Sequence, residues 1–173
     1  MMRPGRAFSS SEPAPCSTLA ADDRSEPGHH FEWASLMVAF ARRTGRQELI
    51  GYAKKLYASA IAGGVNRATG LAFGSLSRTG EPLDVTSRCW PQAEAIKAAI
   101  ALDMTGGPDL KPEIERRVAR LFRWHIDPAP AGLWVDRVGG RGEPLSTEVP
   151  ASILYHLVSA MTAYLDYSAD VDQ

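Results

Sequence analysis

Apolar residues along this chain fall into two kinds of segment that alternate. One kind is apolar at nearly every position. Phe31 to Ala41 contains only Glu32 and Ser35 as polar residues, and Ala95 to Leu102 contains only Lys97. A helix apolar on all sides is expected to be buried on all sides. The other kind is one-sided. Residues Arg46 to Ile61 place Leu49, Ala53, Leu56 and Ala60 along one stripe, with Arg46, Glu48, Lys54 and Lys55 on the rest. Residues Lys111 to Ile126 do the same with Ile114, Val118, Leu121 and Phe122. Such helices cover a core from outside.

Glycine and proline punctuate these segments. The first helix is predicted over His30 to Arg43 and stops at Thr44-Gly45, and the second stops at Gly63-Gly64. Gly70 to Leu76 and Pro82 to Val85, joined by Ser77 to Glu81, read as a short hairpin. The third helix opens at Arg88 to Glu94, with Pro91 suited to its first turn. It ends at Thr105-Gly106-Gly107-Pro108, before the fourth helix. The hairpin pattern then returns, from Gly132 to Arg137 and on to Gly142-Glu143-Pro144-Leu145. A fifth helix opens near Glu148 and runs through Leu157, Val158, Met161 and Leu165.

The chain is therefore an internal repeat of roughly 60 to 65 residues. Each unit has a buried inner helix, an amphipathic outer helix and a return loop. His29, Trp90 and His156 occupy corresponding places, where an inner helix begins. Alternating inner and outer helices build an α/α toroid, in which the inner helices ring a central pocket. The predicted fold is all-α, with about five main helices and short β-hairpins between helix pairs. A closed ring needs over twice as many helices. An open arc exposes the flanks of apolar inner helices, which solvent tolerates poorly as a large patch. Either another chain covers that surface, a second copy included, or this polypeptide is the C-terminal half of a longer protein.

Composition narrows the class. The chain has 173 residues, 45% apolar and 23% charged, with net charge −1. It reads as one globular domain over 27–167, preceded by a flexible leader over 1–26 rich in Ser, Pro and Ala, and followed by a frayed acidic tail over 168–173. Leu19-Ala20-Ala21 suggests a remnant of an earlier helix. Near-zero charge gives no electrostatic case for nucleic acid or an anionic membrane. No run approaches the roughly 18 to 20 apolar residues of a membrane span. Cys16 and Cys89 form neither a disulfide framework nor a zinc site, and with no secretion signal the expected compartment is the cytoplasm.

The candidate chemistry lies at the helix starts. Pro27-Gly28-His29-His30-Phe31-Glu32-Trp33 delivers two imidazoles, a carboxylate and an indole to one helical turn, and His29 and Glu32 are three apart, hence on one face. The plainer reading makes His29 a helix-end hydrogen bonder, His156 a satisfied core histidine, and Glu32 and Glu94 first-turn carboxylates. It makes Trp90 and Trp134 packing groups, and pairs Arg88 with a carboxylate. His125, before Asp127-Pro128, reads as structural. Arg116, Arg117 and Arg120, interleaved with Glu113 and Glu115, read as a solvated face. Gly139-Gly140-Arg141-Gly142 reads as a hairpin turn, not a phosphate loop.

Three motifs in order, Pro27-Gly28-His29-x-x-Glu32, Arg88-x-Trp90-Pro91-Gln92-x-Glu94, and Gly132-Leu133-Trp134 followed by Val149-Pro150-Ala151-Ser152-x-x-Tyr155-His156, resemble the N-acylglucosamine 2-epimerase family of sugar epimerases and ketose–aldose isomerases. The resemblance spans about Glu26 to Tyr164 and only the C-terminal part of the family's (α/α)6 barrel. Phe31-Glu32-Trp33 is most similar to the mannose isomerase branch, whose members are often labelled mannose-6-phosphate isomerase. The resemblance implies His29 and His156 as the acid/base pair, with His30 on a variable position. It implies Glu32, Arg88, Trp90, Gln92 and Glu94 as sugar-binding, a small-molecule sugar as substrate, and no metal or cofactor. A non-catalytic helical-repeat module that only binds a partner is the alternative.

Overall fold

In a computed structural model, residues 24–171 are described. Residues 1–23 and 172–173 lie outside that range, and with them Leu19-Ala20-Ala21, Cys16 and most of the expected leader. The elements run in the order β1 (Arg24–Ser25), α1 (Pro27–Thr44), α2 (Glu48–Gly64), β2 (Ser75–Ser77), β3 (Pro82–Asp84), β4 (Ser87–Arg88), α3 (Cys89–Asp103), α4 (Lys111–Leu121), β5 (Arg137–Val138) and α5 (Leu154–Val171). A π-helical turn, Phe122–Ile126, extends α4, and a 3-10 turn, Ala151–Ile153, leads into α5.

Pro27 starts α1 because its missing N–H is one that the first turn leaves unpaired anyway. Gly45 ends the helix in the left-handed region, φ 76°, returning its N–H to the Ala41 carbonyl at 2.8 Å. α3 is the central element and packs on both α1 and α5, with α2 and α4 outside. Its Ala93, Ala95, Ile96, Ala98, Ala99 and Leu102 are all buried, and the alanines let flanking helices approach closely. Phe31, Ile96 and Ile114, each fully buried, contribute about 1.5–3 kcal/mol apiece. Tyr167 ties α5 to α3 by donating to Asp103 Oδ2 at 2.8 Å, and burial and that carboxylate push its phenol up to about 12.

The repeat is visible in the loops. Gly70 and Gly132 both take positive φ (74° and 82°), as do Gly80 and Gly142 (87° and 90°), at matching places in the two units. After Gly70, Phe73 N–H bonds the Gly64 carbonyl at the end of α2. After Gly132, Val135 N–H bonds the His125 carbonyl in the turn that extends α4.

Several boundaries differ from expectation. Arg24–Ser25, expected in the leader, pairs antiparallel with β2, which pairs in turn with β3 in a three-stranded sheet. Residues 168–171, expected to fray, continue α5. The second hairpin starts later than predicted. Gly132 to Val135 lies against the end of the α4 extension, while Arg137 and Gly139 bond across to Leu145 and Glu143, and β5 pairs with β4. Arg117 is buried rather than solvated. Its guanidinium lies over the rings of Phe31 and Tyr57 and pairs with Glu113 at 2.8 Å. α1 is not buried on all sides: Trp33, Leu36 and Phe40 are 56%, 52% and 51% exposed.

The fold is all-α in substance, with five main helices among the described residues, arranged as part of an (α/α)6 barrel. No helix among the described residues is long and apolar enough to cross a membrane.

Candidate active site

The N-termini of α1, α3 and α5 converge on a cleft of about 260 Å³ lined by His29, Glu32, Arg88, Trp90, Tyr155 and His156, with Ser152 and Ile153 at its edge. Local sequence explains the convergence. Each inner helix is entered through a short segment that stops the preceding loop: Pro27-Gly28, Arg88 with Pro91, and Pro150 with the 3-10 turn. Gly28 is required by packing, since a Cβ there would meet Trp90 Cη2 at 2.6 Å and Pro91 Cβ at 3.0 Å. That close approach seats the Trp90 indole between the two imidazoles. Its centroid lies 5.1 Å from that of His29 and 5.4 Å from that of His156.

The two histidines are held differently. His156 is buried, and its Nδ1 donates to Glu94 Oε1 at 2.6 Å. A carboxylate opposite Nδ1 fixes the proton there and leaves Nε2 as the nitrogen available to the cleft. Glu94 is wholly buried and also receives Lys97 Nζ at 2.8 Å, so its charge is compensated inside the core. On the outer side Tyr155 lies against His156 with ring centroids 3.8 Å apart. Burial, then the carboxylates of Glu32 and Glu94, push the Tyr155 phenol above its ordinary range. His29 is more open, and its Nδ1 lies 3.5 Å from Glu26 Oε2. It does not pair with Glu32 as their spacing suggested. Glu32 instead faces the cleft.

The remaining predicted residues divide. Arg88 lines the cleft while its guanidinium pairs with Asp136 Oδ2 at 3.2 Å, as the plainer reading expected. Gln92 and Glu94 do not reach the cleft, contrary to their expected contact with sugar. Both lie behind its wall, because α3 is buried on every side and residues 92 and 94 point into the core. Gln92 accepts from Ala72 N–H at 2.9 Å and donates to the Arg88 carbonyl at 2.9 Å, clamping a return loop to the start of α3. Trp134 packs in the core, and His125 is fully buried with Nδ1 donating to the Val135 carbonyl at 2.7 Å. Burial holds His125 below its ordinary value, against that hydrogen bond and Asp136.

Glu26, Ser152 and Tyr155 belong to this neighbourhood but were not singled out. Ser152 and Tyr155 lie within the late motif, and Glu26 stands three residues before His29, so spacing alone carried the signal. His30, next to His29, points elsewhere. It borders a larger cavity of about 730 Å³ with Arg24, Ser59 and Arg78, on the sheet side of α1, and that cavity contains none of the predicted residues. Burial, and then the nearby His29, lower the His30 imidazole. Among the described residues no three His, Cys, Asp or Glu side chains cluster so as to hold a metal ion. Cys89 is buried, and burial with the nearby Asp136 raises its thiol to about 12, so it is no nucleophile.

Solved structures share this architecture. A crystal structure of D-mannose isomerase superposes with a TM-score of 0.69 at 21% identity, covering 82% of this chain and 37% of that one. A cellobiose 2-epimerase from Spirochaeta thermophila DSM 6192 superposes at 0.75 with 14% identity, covering 86% and 40%. At such identities the likeness defines the fold, part of an α/α barrel. The N-acylglucosamine 2-epimerase (GlcNAc 2-epimerase) family pattern matches residues 19–160, and the chain belongs to that family. It is also similar to a mannose-6-phosphate isomerase of Rhizobium meliloti (strain 1021), at 31% identity over 139 residues. The match takes in 79% of this chain but 36% of that relative, so the chain spans little more than a third of the relative's length.

Proposed function

We propose that this chain carries the acid/base half of a sugar isomerase or epimerase site, with His29 and His156 as the proton-transfer pair. One observation carries the reading: two imidazoles, one oriented by a buried carboxylate, flank a single indole in a cleft also lined by Glu32 and Arg88. An open-chain aldose has an acidic proton on carbon 2. One imidazole removes it to give an enediol, and a protonated imidazole returns a proton. Return to carbon 1 gives the ketose, and return to the opposite face of carbon 2 gives the epimer. Imidazole suits both roles because its ordinary pKa is near working pH. Arg88 stabilises the developing oxyanion, Trp90 offers an apolar face to the sugar, and Glu32 reads a hydroxyl. Glu94 acts through His156, as a positioning residue.

Phe31-Glu32-Trp33 and the mannose-6-phosphate isomerase relative favour isomerisation of an aldose such as mannose over epimerisation. The reaction as proposed needs no metal or cofactor, and the protein works in the cytoplasm. The cleft is open on one side and is completed by further helices, supplied by a second copy or by the remainder of a barrel.

The test is proton exchange in deuterated water, followed by proton NMR of mannose. Loss of the carbon 2 signal supports the reading, and fructose identifies an isomerase. His29→Ala and His156→Ala are each expected to abolish exchange while leaving the far-UV circular dichroism unchanged. Retained exchange in either variant sinks the assignment. A second reading, a helical module that only binds a partner, is favoured by the exposed Trp33, Leu36 and Phe40. A folded chain with no exchange on any aldose would favour it.

A further inference from the structure

We infer that Lys97 is a positioning residue for the proposed proton transfer: its ammonium holds Glu94 ionised and so keeps His156 neutral, with Nε2 open to accept a proton. This rests on the reading of His156 as one of the transfer pair. Lys97 is the only polar residue from Ala95 to Leu102. Lysine is rarely placed in such surroundings unless it is paired, and this side chain is only 23% exposed. It stands three residues after Glu94, on the same face of α3. Its Nζ lies 2.8 Å from Glu94 Oε1 and donates to Ser159 Oγ on α5 at 3.4 Å. The Ser159 hydroxyl in turn donates to the His156 carbonyl at 3.1 Å. The ammonium is therefore fixed to both helices that carry the histidine and its carboxylate.

One carboxylate oxygen serves both donors. Glu94 Oε1 receives Lys97 Nζ and His156 Nδ1, while Oε2 is buried with no hydrogen-bond partner among the described residues. An ammonium, a carboxylate and a neutral imidazole sum to zero charge. Without the ammonium, a wholly buried carboxylate is left uncompensated, which is strongly unfavourable. The cheapest repair is one more proton on the Glu94–His156 pair. A proton already lies between Oε1 and Nδ1. One placed on Oε2 would find no acceptor there. The added proton therefore goes to Nε2, the nitrogen left to the cleft, and the lone pair that would take a proton from sugar is lost.

The other titratable and charged groups around His156 are His29 and Glu32 from α1, Arg88 from β4 and Tyr155 on its own helix. A substitution at Lys97 leaves all four in place, so a change in His156 isolates the ammonium.

Long-range proton–nitrogen NMR of the full chain without sugar reads the protonation of each imidazole nitrogen. The His156 signals are assigned by their loss in His156→Ala. In Lys97→Met the midpoint at which Nε2 gives up its proton is expected to move up by at least about one pH unit. Lys97→Gln keeps a donor but no charge, so it is expected to shift the midpoint in the same direction, and it serves if Lys97→Met does not fold. Adding Glu94→Gln to Lys97→Met is expected to bring the midpoint back toward the wild-type value, because no buried carboxylate is left to compensate. A residue that only fills space would give no such reversal. An unmoved midpoint in a folded Lys97 variant, or a shift that survives Glu94→Gln, overturns the proposal. Carbon 2 exchange is read separately, and the acid limb of its rate–pH profile should move up with the midpoint. A moved midpoint without exchange leaves the charge coupling standing and removes the isomerase reading. Exchange with an unmoved midpoint does the reverse.

Discussion

At the scale of single residues, the contrast between Glu94 and Glu32 is instructive. Both are carboxylates near the start of an inner helix, yet Glu94 is wholly buried on His156 and Lys97 while Glu32 faces the cleft. Glu94→Gln keeps the shape of the side chain and removes its charge. Exchange at carbon 2 is expected to fall about 10²- to 10⁴-fold, as when an orienting carboxylate is lost from a histidine base. The loss should fall on kcat with KM little changed, which separates positioning from substrate binding. An unchanged kcat would show that Glu94 only fills space. His125 provides a stability test. Its folded pKa lies below the ordinary 6.5, so the unfolded chain binds more protons in between. Its contribution is fully present above 6.5 and is lost as pH falls through its lower folded value. Urea midpoints should decline over that window, and His125→Gln should flatten the decline.

At the scale of elements, much was legible because period and punctuation agree. Inner and outer helices differ in how much of their circumference is apolar, and glycines mark their ends, so α1 to α4 fell within a few residues of expectation. The π-helical end of α4 and the late start of the second hairpin were not legible. There Val135 N–H bonds the His125 carbonyl, a contact across ten residues with no local signature. The same limit applies to Gln92 and Glu94. A motif names residues that stay together in sequence, but on α3 Gln92 turns away from Trp90 toward the Ala72 loop, while Glu94, one turn further along on Trp90's side, sits deeper against His156. Nor could spacing tell that His29 would turn toward Glu26 rather than Glu32. Packing between α1 and α3 makes its own prediction. Gly28→Ala forces a Cβ against Trp90 and Pro91 and is expected to cost about 1–3 kcal/mol in chemical denaturation. A neutral result would mean that the indole moves freely.

At the scale of the whole molecule, stability should be graded from the centre of the arc outward. α3 is covered by α1, α2, α4 and α5, whereas α1 and α5 each have an open side. Amide hydrogen exchange should therefore be slowest over residues 93–102 and faster along α1 and α5, which have fewer buried contacts. Equal protection in all three would contradict the arc. The convergence of three helix starts on one cleft has an electrical consequence as well. Peptide dipoles sum along a helix, leaving roughly half a positive charge at each beginning. Three such beginnings at the cleft each add a positive contribution to its field, although the formal net charge is −1. The backbone itself thus supplies a field that favours an anion at the place where the proposed enediolate would form. No side-chain substitution removes it.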